Sequence, residues 1–344
     1  MLTVYTETHQ LHHGRNELMA GQLVPVFEVP RRVEIVLDQV RRVGLGEVVG
    51  PEAFGLAPVL RVHHPDYVGF LQTAWEEWCA LGRGDTDALP YAWPVRRTDQ
   101  ARAPRGIDAR LGFYSFDAAS PIGAGTWEAV RGSADVALSA AGWVQRGARS
   151  AFALCRPPGH HAAQDYMGGY CFLNNAAIAA QSMRDAGAGR VAILDIDYHH
   201  GNGTQAIFYD RPDVLVANLH GDPDMEYPYF LGRADERGAG EGEGFNLNYP
   251  LPWGTGFADW SEALEEACRQ IARYAPEALV VSLGVDTYQG DPISQFKLDS
   301  PDYLRVGERI AGLGRPTLFV MEGGYAVEEI GLNAVNVLLG FEGA

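Results

Sequence analysis

From about residue 125 onward, short apolar runs alternate with stretches of helical length. Five of these runs read as strands: Phe152-Ala153-Leu154-Cys155, Val191 to Leu194, Val214-Leu215-Val216, Leu279 to Leu283, and Leu318-Phe319-Val320-Met321. They are apolar at nearly every position, which marks strands buried on both faces. Between them, Ser261 to Tyr274 places Leu264, Ala267, Cys268 and Ile271 on one face at helical spacing, and the alanine-rich run Asn174 to Asp185 ends at Gly187. Continuous strands alternating with helices predict a single α/β domain over 1–344, with a mostly parallel central sheet sandwiched by layers of helices.

The rhythm breaks over about 76–125. That stretch includes "LGRGDTDALPYAWPVRRTDQARAPRGIDARLGFYSFDAASPIG", which mixes Pro, Gly, Arg and aromatics without a period. It is long for a structureless connection, and such segments are usually functional or interface-forming. Tyr91, Trp93, Phe113, Tyr114 and Phe116 argue for order over a disordered linker. The stretch "RGAGEGEGFN" at 237–246 reads as a surface loop before a strand.

Composition narrows the function classes. Apolar residues make up 47% of the 344, enough for a large core. Lys and Arg number 27 against 44 Asp and Glu, a net charge of −17. Such a balance disfavours a nucleic-acid surface, which needs clustered basic side chains. It suits a cationic small molecule, and equally serves solubility. No apolar run approaches the roughly 20 residues of a membrane span. The first ten residues lack a basic region followed by an apolar stretch, and Cys79, Cys155, Cys171 and Cys268 form no CxxC pair. Reduced thiols and a cytoplasmic location are therefore expected.

Chemistry gathers at the strand ends. After Cys155 comes "RPPGHH", with His160 and His161; after Leu194, "DIDYHHGNG"; after Val216, "ANLHGDPDMEYPYF"; after Leu283, "GVDTYQGDP", with Asp286; and after Met321, "EGGY", with Tyr325. The carboxyl edge of an open α/β sheet is where ligands bind. Asp197 and His199, two apart, share one side of an extended backbone. With a third carboxylate such as Asp286 they would hold a divalent transition metal and leave a position for water. Zinc is expected, although an O,N,O set also accepts Fe(II) or Mn(II). Asp195 has the same parity but lies nearer the strand. It is a candidate to orient a histidine, to bind a monovalent cation, or simply to cap a turn. His200 and Tyr198 point the other way, toward packing. The prolines and glycine of "PPGHH" make a stiff turn that presents adjacent imidazoles for general base and acid work. Tyr325 is a candidate oxyanion donor. His63-His64 reads as a turn before Pro65, and His12-His13 as a candidate for the rim of the mouth.

Taken together and in this order, "RPPGHH", "GGYCFLNN", "DIDYHHGNGTQ", "GVDTYQGDP" and "EGGY" resemble the histone deacetylase superfamily, and "HHPDYVGFL" extends the likeness over nearly the whole chain. The closest branch is the bacterial acetylpolyamine amidohydrolases, which share the insertion before "LGFYSFD", the "GGYCF" variant and "YPYFLGRADERG…GEGFNLN". The resemblance implies the arginase-deacetylase fold, a three-layer sandwich. It implies Asp197, His199 and Asp286 as zinc ligands, His161 as general base and acid, His160 as its partner, and Tyr325 as oxyanion donor. Asp195 would bond His160, and Asn202 stands behind His161 where many members carry an aspartate. A structural potassium ion would be held by Asp195, Asp197, His199, Asn218 and Leu219. Gly169, Tyr170 and Tyr227 would line the substrate tunnel. In this branch the insertion narrows the entrance, builds a homodimer interface and carries acidic residues for the distal ammonium of the substrate. Asp108 falls on one such position; Ala119 occupies the second, with Asp117 two residues earlier. The implied reaction is metal-dependent deacetylation of acetylated polyamines or diamines. Deacetylation of acetyl-lysine peptides and non-catalytic metal-dependent binding are the alternatives.

Overall fold

Eight parallel strands form the central sheet of the computed structural model, which describes residues 1–94 and 102–344. In chain order the elements are β1 (Leu2–Val4), β2 (Asn16–Met19), β3 (Gln22–Pro25), α1 (Arg31–Val43), β4 (Val48–Val49), α2 (Pro65–Ala80), α3 (Ile107–Phe113), α4 (Thr126–Gln145), β5 (Ser150–Ala153), α5 (Asn175–Asp185), β6 (Val191–Asp195), α6 (Asn202–Phe208), β7 (Val214–Gly221), β8 (Asn246–Leu251), α7 (Phe257–Tyr274), β9 (Ala278–Leu283), α8 (Asp302–Ala311), β10 (Thr317–Met321) and α9 (Ile330–Gly343). The sheet order is β4-β1-β5-β10-β9-β6-β7-β8, and β2 and β3 form a separate antiparallel hairpin.

The apolar runs do what their pattern requires. In β6, Val191 and Ile193 join the core on one side of the sheet, while Ala192 and Leu194 join the core on the other. Strands two-sided in this way need helices on both faces. Part of α4 and α5 fills one side, and α1, α7, α8 and α9 fill the other. The three-layer α/β sandwich expected from the sequence is thus observed.

Boundaries differ where the pattern was weak. The first run forms a strand at 150–153, so Leu154 and Cys155 already belong to the turn. The helix predicted from Ser261 begins at Phe257, and β7 continues past Val216 to Gly221. Residues 76–80 complete α2, and α3 lies within the supposed excursion. Residues 95–101 of that segment lie outside the described residues. Among the described residues, no helix is long and apolar enough to cross a membrane, and all four cysteines are unpaired.

Candidate active site

The "PPGHH" turn is braced from several sides. Asn174 caps α5 by accepting from the Ala177 amide at 2.9 Å, while its own amide donates to Ala162 O and Thr204 Oγ1, both at 3.0 Å. His63 donates from Nδ1 to Ala163 O at 2.7 Å and accepts the Asn174 N–H at 2.9 Å, so its role is structural. His64 caps α2 by accepting from Asp66 N. His12 is buried edge-on against Phe172 and bonded to Thr126, away from the rim expected for it.

At the end of β6 the chain delivers Asp197 and His199 toward Asp286, which follows β9. One ligand atom from each of the three lies within 4.8 Å of the others, and all three residues are buried. His199 Nδ1 is 3.0 Å from Asp286 Oδ2 and 3.4 Å from Asp197 Oδ1. A tetrahedral metal with bonds of about 2.0–2.1 Å separates its ligands by about 3.3 Å, so these donors fit such an ion. The other carboxylate oxygens are occupied: Asp286 Oδ1 accepts from Tyr198 N at 2.8 Å, and Asp197 Oδ2 from Gly323 N at 2.8 Å. Burial and the Asp197 charge push Asp286 up to about 7. Burial also opposes the charge on Asp197, but His160 and His199 hold it below the usual carboxylate range. Two buried carboxylates so close repel, and a divalent cation between them would remove that cost.

The histidine pair faces this triad. His160 Nδ1–H donates to Asp195 Oδ2 at 3.0 Å, and His161 Nδ1–H to Asn202 Oδ1 at 2.7 Å. The Asn202 amide nitrogen is turned to the Tyr166 hydroxyl, 3.3 Å away, which leaves its oxygen for His161. The proton on Nδ1 then leaves Nε2 of His161 with its lone pair. Burial opposes charge on both rings, but Asp197 and Asp195 outweigh it at His160 and push it up to about 10. Burial together with the His160 charge drives His161 well below its ordinary value. A charged His160 beside a neutral His161 is the protonation state a general base needs.

Tyr325 closes the site. Burial lifts its phenol well above the ordinary value, so it remains a donor. The Arg32 guanidinium lies 4.7 Å from its ring centroid, and Asp291 Oδ2 accepts its backbone N–H at 2.7 Å. The segment before it binds its neighbours too. Glu322 Oε2 accepts from Gly159 N at 2.7 Å and from His160 N at 3.2 Å, and Arg32 donates to the carbonyls of Glu322 and Gly324. Arg32 and Arg156 both pair with buried Glu28 at 2.8 Å. Glu28, Arg32, Asp291 and Glu322 have no assigned role in the sequence reading. Only Asp291 and Glu322 sat inside quoted motifs, in "QGDP" and "EGGY".

His161, His199, Gly169, Tyr170, Tyr227 and Tyr325 help to line a cavity of about 750 Å³. Gly169 has φ +52°, and a Cβ there would run into the His161 ring. Tyr170 also lies in the left-handed region, at φ +67°. Holding a non-glycine residue there costs about 1–3 kcal/mol. Asp117 reaches the cavity but serves the wall: its Oδ2 accepts from the Tyr227 hydroxyl at 2.6 Å and from Gly169 N at 3.0 Å. Asp108, expected at the entrance, is absent from the lining and pairs with Arg83. Behind the triad, Asp195 on β6 and Asn218 on β7 are register partners, with Leu219 next to Asn218. Tyr198 packs against Phe296, and His200 bonds Gln205, both turned away from the cavity as expected.

A triad fitted for a metal, a neutral imidazole across from it and a phenol donor make up a metal-dependent amide hydrolase. Residues 26–340 match the model of the histone deacetylase domain, and the chain belongs to the histone deacetylase family. It is 66% identical over 343 residues to acetylpolyamine amidohydrolase 2 of Pseudomonas aeruginosa, covering 100% of this chain and 99% of that one. It is 51% identical to the acetylpolyamine amidohydrolase of Mycoplana ramosa over 344 residues, all of both chains. The solved acetylpolyamine aminohydrolase of Burkholderia pseudomallei superposes with a TM-score of 0.94 at 44% identity, over 99% of this chain and 98% of that one.

Proposed function

We propose that this chain hydrolyses the acetamide of acetylated polyamines or diamines, such as N-acetylputrescine or N-acetylcadaverine, releasing acetate and the free amine. The observation that carries the chemistry is the bare Nε2 of a neutral His161 beside the Asp197–His199–Asp286 triad. The full-length likeness to acetylpolyamine amidohydrolases supports the substrate.

When bound by Asp197, His199 and Asp286, a divalent metal supplies Lewis acidity and makes water more acidic. The remaining steps belong to the chain. His161 Nε2 takes the proton of the attacking water as it adds to the acetyl carbonyl. Tyr325 donates its hydroxyl to the resulting oxyanion. His161 then passes its proton to the departing amine nitrogen, and the C–N bond breaks. Burial, together with the charge that Asp197 and Asp195 favour on His160, keeps His161 neutral between turnovers.

We assign zinc as the native metal, and potassium to Asp195, Asp197, His199, Asn218 and Leu219; elemental analysis of purified protein tests both. A homodimer through the 76–125 segment is supported by the exposed Tyr91 and Trp93, and light scattering tests it. Unpaired cysteines support a reducing cytoplasm. The activity is tested with acetylated diamines against an acetyl-lysine peptide. Faster turnover of the peptide overturns the substrate assignment.

A further inference from the structure

The Tyr325 hydroxyl must meet an oxyanion that forms at one place, yet its side chain is held loosely. Among the described residues that side chain makes ring contacts and no hydrogen bond: the Arg32 guanidinium lies 4.7 Å from its centroid and the Tyr170 ring 5.4 Å. The backbone must therefore set where the hydroxyl stands. That backbone follows two glycines, and Gly324 has φ +128°, a region other residues rarely adopt. Gly323 is pinned before it, donating to Asp197 at 2.8 Å and accepting from Val285 N at 3.1 Å. Beyond Gly324 the pin is Asp291.

Asp291 is buried in the loop between β9 and α8, five residues after Asp286. Both of its carboxylate oxygens are spent on backbone N–H groups. Oδ2 accepts from Tyr325 at 2.7 Å and from Ala326 at 3.2 Å, and Oδ1 accepts from Ile293 at 3.1 Å. Its own N–H donates to Tyr288 O at 3.0 Å, and that of Tyr288 to Val285 O at 3.3 Å. One turned loop thus carries a triad carboxylate at its start and the anchor of the phenol at its end. Bonds from N–H groups to a carboxylate are the strong kind, and they offset the cost of burying it. The anchor also acts on a long lever. A tilt of about 10° at the Tyr325 Cα moves a hydroxyl about 6 Å away by about 1 Å, and a misplacement of that size can cost about 100-fold in rate.

We propose that Asp291 is the positioning residue for the oxyanion donor, fixing the Tyr325 hydroxyl against the triad through the Tyr325 and Ala326 amides. This rests on the deacetylase reading above. The test is a double-mutant cycle on the metal-loaded enzyme with N-acetylputrescine, with rates taken per folded molecule from near-ultraviolet circular dichroism. Asp291→Ala alone is expected to lower kcat about 10–100-fold and to change KM less than about twofold. In a Tyr325→Phe background the same substitution is expected to cost less than about twofold, because the group it positions is already gone. A residue that merely supports the fold would cost the same factor in both backgrounds. One that shapes the cavity wall through Ile293 would raise KM in both. Either result overturns the proposal, as does an unchanged kcat in the single variant. Asp291→Ser, which keeps one hydroxyl acceptor, runs the same cycle if the alanine variant does not fold. Acetate release by the wild-type holoenzyme decides the deacetylase reading separately.

Discussion

His161 donates its Nδ1 proton to the neutral carbonyl of Asn202 across 2.7 Å, not to a carboxylate. The base is thereby oriented without the charge that would stabilise its protonated form. Replacing Asn202 with Asp should raise the His161 pKa. Because the base must be neutral to act, the acid limb of the kcat/KM profile should move to higher pH. Asn202→Ala should lose orientation and cost about 10–100-fold in kcat at every pH. Initial rates from pH 5 to 9 on both variants check this.

Tyr325→Phe removes the oxyanion donor and leaves the ring against Tyr170 and Arg32. A loss of about 10²–10³ in kcat is expected, with substrate affinity nearly unchanged. Steady-state kinetics combined with equilibrium binding would separate the two. A variant that kept full acetate release would contradict the assigned role.

Chelation should abolish acetate release, and a divalent metal should restore it. The melting temperature should also fall on chelation, since the metal binds only the folded triad and relieves the Asp197–Asp286 repulsion. Asp286→Asn should lose metal affinity yet melt higher than the metal-free wild type, because one of the two repelling charges is gone. Calorimetry with and without metal reads both effects.

Glu28 anchors two arginines under the site. Burial opposes its charge, but Arg156 and Arg32 outweigh burial and hold its pKa at about 2, against 4.5 ordinarily. A depressed folded-state value adds stability above the unfolded pKa, lost as pH falls toward the folded one. About 3 kcal/mol should therefore disappear between about pH 4.5 and 2. Glu28→Gln should be less stable by about 3–5 kcal/mol near neutrality, since it strands two buried guanidinium groups. Urea unfolding across that pH range should show a flatter dependence for the variant.

Much of the candidate site was legible because its residues follow apolar runs, which mark roughly where the strands end. Asp197, His199, Asp286, His160, His161 and Tyr325 all announce themselves this way. The edge strands do not: β4 is two residues long and β1 three, too short for any period, and both gain strand character only from parallel neighbours far along the chain. Asp108 looked available because nothing in its own neighbourhood points to Arg83, 25 residues earlier. Glu17 shows the converse: nothing around a lone glutamate in "NELM" points to the hydroxyl it accepts from, that of Tyr170, 153 residues later.

The four residues of "EGGY" act as a crossbar. Glu322 grips the histidine turn, Gly323 grips Asp197, and the Tyr325 amide is gripped by Asp291. Base, metal ligand and oxyanion donor are thus latched to one short segment at the end of β10. Such a linkage should open as a unit. The active centre would then lose its competence in one cooperative step, well before the sheet beneath it melts.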